Sequence, residues 1–382
     1  MSTYPIYFDY NATTPCDPQV VEAILPFFSQ HFGNASSKVH AHGWYAEDAV
    51  SQAREQVASL IGAEAREIIF TSGATESINL AIQGLAKKQV SGGKHIITVA
   101  TEHKAVLDVC AYLQEQGYDI TYLAVDAMGM ISLELLENSI RKDTILIAAM
   151  YANNETGVIH PVAAIGRIAQ KHSIPFFCDA TQAVGKIPVD VYADYIDMMA
   201  FSAHKLYGPK GVGALFIRKK NPLLEIAPLV FGGGHERKLR SGTLNVPGIV
   251  GMGKATALCQ TLMEADAKRL SELRDLFWKE IGAIQGVEWN GHKDQSLSHV
   301  ANICFNMQGG DKLIKMLAKH VSVSSGAACS SATAAPSHVL KAMGLSDLKA
   351  HSSIRFSFGR FTTSQEVTIT IEEIKKAVSR LS

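Results

Sequence analysis

Seven short apolar runs, separated mostly by loops or by segments of helical period, constrain this chain more than any other feature. In order they read EIIFTS, HIITVA, ITYLAV, TILIAAM, IPFFCDA, DMMAFSA and GALFIR. Strands that are apolar without alternation are buried on both faces, and strands that alternate with helices pair in parallel. The pattern predicts an α/β fold with a mostly parallel sheet between helical layers. One of the helical segments, YAEDAVSQAREQVASLIGA, places Ala46, Ala49, Val50, Ala53, Val57, Leu60 and Ile61 on one face and ends at Gly62. TEHKAVLDVCAYLQEQG and VAAIGRIAQKHS read in the same way. In sheets of this kind, sites lie beyond the carboxyl ends of the strands.

After about residue 260 the character changes. TLMEADAKRLSELRDLFWKEIGAI reads as a long amphipathic helix, and shorter strands, VANICFNM and SSIRFSFG, follow it. The expected organisation is a large domain over 16–259 and a smaller α+β domain over 1–15 and 260–382, a division that 382 residues allow. No internal repeat or low-complexity linker interrupts it.

Charge and cysteine usage narrow the class of function. Lys+Arg and Asp+Glu both number 36, so no global field recruits nucleic acid or an anionic membrane. The start, MSTYPIYFDYNATTP, is not a basic stretch leading into an apolar run. No apolar stretch approaches the ~18–20 residues that span a bilayer. Six cysteines, at 16, 110, 178, 259, 304 and 329, are scattered without a Cys-x-x-Cys pair. Reduced thiols, and therefore a soluble cytoplasmic protein, are the expectation. His40 and His42 lack a cysteine or carboxylate cluster to complete a metal set, so no metal is expected.

The strand ends carry the chemistry. EIIFTSGATESINLAIQG is a strand, a glycine turn and a helix whose N-terminus, with Thr75 and Ser77 beside it, suits an anion such as phosphate; Thr75 as a plain helix cap is the simpler alternative. IPFFCDATQAVG ends in Asp179, with Gln182 soon after, and MMAFSAHKLYGPKG ends in Ser202, His204 and Lys205. A carboxylate and a lysine on consecutive strand ends, with a phosphate cradle upstream, match the needs of pyridoxal phosphate (PLP). Its pyridine nitrogen needs a carboxylate, its aldehyde a lysine and its phosphate a helix N-terminus. His103 in ATEHKAV, past another strand, could stack on a flat cofactor, and ANNETG sets Asn153 and Asn154 past the next. GIVGMGKAT, Gly248 to Thr256, imitates a phosphate loop, but Ala follows Lys254 and no buried strand precedes it, so nucleotide binding is not expected.

One segment stands apart. SSGAACSSATAAPS, Ser324 to Ser337, holds Cys329 among residues that are all small, whereas Cys178 sits in the bulky run IPFFCDA. Nothing in the stretch is large enough to anchor it to a core, so Cys329 reads as a thiol arranged to move.

YFDYNATTP, FTSGATES, TEHKAV, NNETG, CDATQAVGK, SAHKLYGPKG, GGGHERKLRSGT, SSGAACSS and HSSIRFSFGR, in this order from residue 7 to residue 363, resemble the PLP-dependent cysteine desulfurases of the IscS/NifS type. The resemblance implies PLP fold type I of the class V aminotransferases, a homodimer, and conversion of L-cysteine to L-alanine with the sulfur held as a persulfide on Cys329. Lys205 would form the Schiff base and carry protons. Asp179 would pair with the pyridine nitrogen, Gln182 with the phenolic oxygen, and His103 would stack on the ring and take part in acid–base steps. Ala74, Thr75, Ser202 and His204 would surround the phosphate, with Thr243 reaching in from the partner subunit. Asn154 would contact cofactor and substrate, and Arg355 would clamp the substrate carboxylate. A loop of about 323–338 would deliver sulfur to an acceptor such as an iron–sulfur scaffold, and Cys329 could ligate a transferred cluster transiently. Against scaffold docking, the chain stops at KKAVSRLS where the housekeeping members continue into a docking tail, and RKKNPLLEIAPLV is less basic than its counterpart. A selenocysteine lyase or a class V aminotransferase fits the same fold, though transamination needs no thiol at 329. A non-catalytic sulfur-carrier scaffold would leave the filled catalytic positions without a purpose.

Overall fold

The computed structural model describes residues 5–88, 93–219, 223–325 and 335–381. After a short strand β1 (Ile6–Tyr7), seven strands build the central sheet: β2 (Ile68–Thr71), β3 (His95–Val99), β4 (Asp119–Leu123), β5 (Thr144–Ala148), β6 (Phe176–Asp179), β7 (Met198–Ser202) and β8 (Gly213–Ile217). They are the seven apolar runs, ordered β2-β8-β7-β6-β5-β3-β4. The neighbours from β7 to β4 pair in parallel. β8 instead runs antiparallel to both β7 and β2. The cause is local: only residues 203–212 join β7 to β8, and a parallel return needs a crossover of about a dozen residues or more.

β3, β5, β6, β7 and β8 are buried along their whole length. Successive side chains leave a strand on opposite faces. Ile97, Phe176, Cys178, Met199 and Phe201 join one apolar cluster with helix Ala41–Leu60. Ile96, Phe177, Met198 and Ala200 join the other, with helices Ala74–Lys88 and Lys104–Glu115. Helix Ala41–Leu60 buries Ala46, Val50, Ala53 and Val57. It stops where Gly62, at φ +68°, takes the left-handed position that glycine accepts without a Cβ penalty.

The remaining strands are β9 (Val287–Trp289), β10 (Val300–Phe305), β11 (Val321–Ser322) and β12 (Ser353–Ser357). β10 lies antiparallel between β12 and β9, and β11 pairs with β1. Phe8 shares a third core with Phe277, Phe305, Phe356 and Phe358, which ties the first residues to the last hundred. The helix read from about residue 260 begins earlier, at Val246, and continues to Ile281; Asn245 caps it by accepting from Gly248 N. Its first half packs Ile249, Met252 and Cys259 into the sheet's core, and its second half packs Leu273 and Phe277 into the smaller one. The phosphate-loop imitation lies within this helix. A Cβ on Gly253 would come within 2.6 Å of Ala53 Cα, so that glycine serves helix–helix contact. Among the described residues no helix is long and apolar enough to cross a membrane.

Candidate active site

The carboxyl ends of β2, β3, β5, β6 and β7 open onto one cavity of ≈ 620 Å³, within the range of small-molecule sites. Because β8 runs against its neighbours, its first residue, Gly213, is level with Thr71 and Ser202 at that same edge. A Cβ on Gly213 would lie 2.6 Å from Gly73 Cα, so two glycines bring the β2 turn against the sheet.

Ser72, Gly73, Ala74 and Thr75 line the cavity where helix Ala74–Lys88 begins. This N-terminus presents backbone N–H groups and the positive end of the helix dipole. Ser77, expected beside it, is fully buried and hydrogen-bonded to Thr71 Oγ1 at 2.8 Å. Two residues along a helix are turned by about 200°, so Thr75 and Ser77 cannot share a face. Ser202 and His204 also line the cavity. His204 Nδ1 lies 3.1 Å from Thr13 Oγ1. Burial, then Lys205, Lys210 and Lys186, push its pKa down to about 4, so it is neutral near pH 7.

Asp179 ends β6 at the cavity floor. Its Oδ1 accepts from Thr181 N at 3.0 Å and from Thr181 Oγ1 at 2.5 Å, which fixes the carboxylate plane. Lys205, one strand over, donates from Nζ to Asn11 O at 2.6 Å and to Ala12 O at 2.7 Å. His103 caps helix Lys104–Glu115 by accepting on Nδ1 from Ala105 N at 3.1 Å, so its proton sits on Nε2. Desolvation lowers its pKa, partly offset by Asp179. Burial, then Asp179, raise the pKa of the neighbouring Glu102 well above the usual carboxylate range, and its Oε1 accepts from Met150 N.

Asn154 lines the cavity, whereas Asn153 is a structural residue that donates to Thr101 O at 3.0 Å. Arg355 rises from β12 and is 6% exposed. Its Nη2 donates to Asp9 Oδ1 at 2.6 Å and its Nη1 to Asn154 O at 2.9 Å, while its buried Nε has no partner among the described residues. Ser324 lies against it, exchanging backbone hydrogen bonds with Arg355, and also lines the cavity.

The structure thus brings Ala74, Thr75, His103, Asn154, Asp179, Gln182, Ser202, His204, Lys205 and Arg355 to one cavity. Thr243 is exposed and outside this chain's cavity lining, and Cys329 lies outside the described residues. Asp9, Asn11, Thr13 and Lys210 line the cavity without having been singled out. Their signal was the polar run in YFDYNATTP directly after an apolar strand, and the lysine of GPKG. His40 caps helix Ala41–Leu60 through Nδ1, and His42 stacks on Phe32 at 5.6 Å. The residues present fit PLP: a helix N-terminus for a phosphate, a fixed carboxylate for a ring nitrogen, an amine for an aldehyde and a guanidinium for a substrate carboxylate.

The family model for class-V aminotransferases matches residues 6–369. A cysteine desulfurase IscS from Pectobacterium atrosepticum is 51% identical, over 99% of this chain and 93% of the relative. One from Salmonella typhi is 50% identical over the same shares. Among solved structures, a NifS-like protein superposes with a TM-score of 0.92 at 38% identity, over 99% of this chain and 100% of that one. SspA in complex with cysteine gives 0.83 at 38% identity, over 94% and 100%.

Proposed function

The chain belongs to the class-V aminotransferases and, within them, to the cysteine desulfurases; on that premise we propose the roles its cavity residues take in converting L-cysteine to L-alanine. The enzyme is PLP-dependent. When bound, PLP draws electrons from the substrate's α-carbon and so loosens the C–S bond. Thr75, Ser202 and His204 hold the phosphate at the helix N-terminus, and the neutral His204 can donate without adding charge. Asp179 keeps the ring nitrogen protonated, and Lys205 anchors the aldehyde and moves a proton at Nζ. His103 stacks on the ring and serves as an acid–base group through Nε2. Arg355 turns two nitrogens to the substrate carboxylate. Cys329 Sγ would give its proton to a basic group of the site and bond to the substrate sulfur as the C–S bond breaks, the bond's electron pair staying on carbon, which leaves a persulfide. L-alanine leaves once a proton returns to carbon.

One observation carries this reading: Lys205, Asp179 and the Ala74 helix N-terminus face one cavity that also holds Arg355. Its wall includes Ser324, five residues before Cys329. Five residues of chain reach at most about 17–18 Å, which keeps the thiol within range of the site. The test is alanine formation from L-cysteine. Cys329→Ala should keep the cofactor's absorbance and lose alanine production, whereas Lys205→Ala should lose the absorbance band itself. Alanine formed at an unchanged rate by Cys329→Ala refutes the persulfide step.

The same proposal places the enzyme in the cytoplasm as a homodimer, divided into a cofactor-binding part over 16–259 and a smaller remainder. Phe28, Phe32, Val39 and Trp44 are 55–87% exposed on and beside the first helices, apolar surface that a second copy would cover. Thr243 would then act across the interface. The persulfide would pass to an acceptor protein such as an iron–sulfur scaffold. Light scattering that finds a monomer removes the dimer, and with it the role of Thr243.

A further inference from the structure

Behind the cavity a chain of hydrogen bonds runs through Gln182. Lys186 Nζ donates to Gln182 Oε1 at 2.7 Å, and Gln182 Nε2 donates to Asn11 O at 3.0 Å. Asn11 O also accepts from Lys205 Nζ at 2.6 Å, and Asn11 Oδ1 lies 2.9 Å from His299 Nε2. Gln182 is 4% exposed, so an unmet polar atom on it would be costly. A carbonyl can only accept, so the atom facing Asn11 O must be the amide nitrogen, and the atom facing Lys186 is the oxygen. That nitrogen carries a second N–H, the one an acceptor inside the cavity can take.

We propose that Lys186 is a positioning residue: by holding the oxygen of Gln182, it keeps the amide N–H₂ turned to the cavity, where the phenolic oxygen of PLP needs a donor. The inference rests on the PLP reading above and extends it to a side chain outside the cavity lining. Lys186 reaches Gln182 from a separate small cavity of ≈ 20 Å³ that also borders His299, Asp266 and Tyr207. The charged and titratable groups facing its amine are Lys205, His204 and Arg355 towards the site, Cys259 beside it, and His299, Asp266, Tyr10 and Tyr207 around the small cavity. Burial, followed by Lys205, holds the amine well below its ordinary pKa, and in either protonation state it keeps an N–H for Gln182 Oε1.

The test uses the holoenzyme and follows the cofactor's visible absorbance against pH. A donor on the phenolic oxygen stabilises its anionic form and weakens its hold on the proton it shares with the Lys205 nitrogen. In Lys186→Met, Gln182 Oε1 is left buried without a donor, and the amide regains one only by leaving its pose. The titration midpoint should then rise by about half a unit to one unit, the pH equivalent of one neutral hydrogen bond. Made in a Gln182→Leu background, the same substitution should add nothing, because the effect passes through the amide. If Lys186→Met does not fold, Lys186→Gln, whose amide falls one bond short of the lysine's reach, carries the same comparison. An unmoved midpoint, or an equal shift with and without Gln182, overturns the proposal. Wild-type protein that takes up no PLP overturns instead the reading on which it rests.

Discussion

Replacing Glu155 with glutamine should stabilise the protein increasingly as the pH rises. Glu155 is 3% exposed, and its Oε2 accepts from Ser337 Oγ at 2.5 Å. Burial raises its pKa from 4.5 to about 7, against the pull of Ser337 and Arg355. Below about pH 4.5 the folded and unfolded chains both keep the proton, and this group leaves stability unchanged. Between there and about pH 7 the unfolded chain ionises while the folded one does not, so the unfolded state binds fewer protons and stability falls. Above about pH 7 the folded carboxyl ionises as well, and the loss levels off at ~3 kcal/mol, taking about 1.4 kcal/mol for each pH unit between the two values. An amide does not titrate. Denaturant unfolding at one protein concentration should therefore show Glu155→Gln gaining ~2.5 kcal/mol on the wild type between about pH 5 and about pH 8. Ser337→Ala removes a bond to the ionised form, so its stability should go on falling beyond the pH at which the wild type levels off. Parallel curves for wild type and Glu155→Gln would show that burial does not hold this carboxyl neutral, and the reasoning would fail.

Three further outcomes follow from the same geometry. Gly213→Ala drives a Cβ to 2.6 Å from Gly73 Cα; it should cost about 1–3 kcal/mol in thermal unfolding and weaken PLP binding, and an unchanged melting curve would place Gly73 farther from β8. Arg54 grips Glu236 with two nitrogens at 2.7 and 2.8 Å, so Arg54→Met strands a buried carboxylate and should cost about 3–5 kcal/mol, with Arg54→Met/Glu236→Gln recovering part of it. Arg355→Lys cannot span Asp9 and Asn154 as the guanidinium does, so KM for L-cysteine should rise about tenfold or more with a smaller change in kcat; an unchanged KM removes Arg355 from substrate binding.

The seven strands were legible in the sequence because each is a local apolar run; in six of them the lack of alternation reports burial on both faces, whereas β4, at the sheet's edge, leaves Asp119 and Tyr122 exposed. Asp179, Ser202, His204, Lys205 and His103 were legible for the same reason, since each directly follows such a run and parallel sheets open their sites there. The helix from Val246 was read as starting late because its first half is glycine-rich, and those glycines make sense only once Asn245 is seen against Gly248, Pro209 against Gly251 and Ala53 against Gly253.

What the sequence alone determined is therefore the sheet, the covering helices and the residues set at strand ends, all consequences of patterns a few residues long. Only the tertiary structure decided that β8 returns antiparallel, that Ser77 turns inward, and that Asn11, Gln182, Lys205 and His299 share one hydrogen-bonded group. Those four positions are separated by as many as 288 residues, and no local periodicity relates them. They meet because the strand order and three packed cores hold their backbones in place.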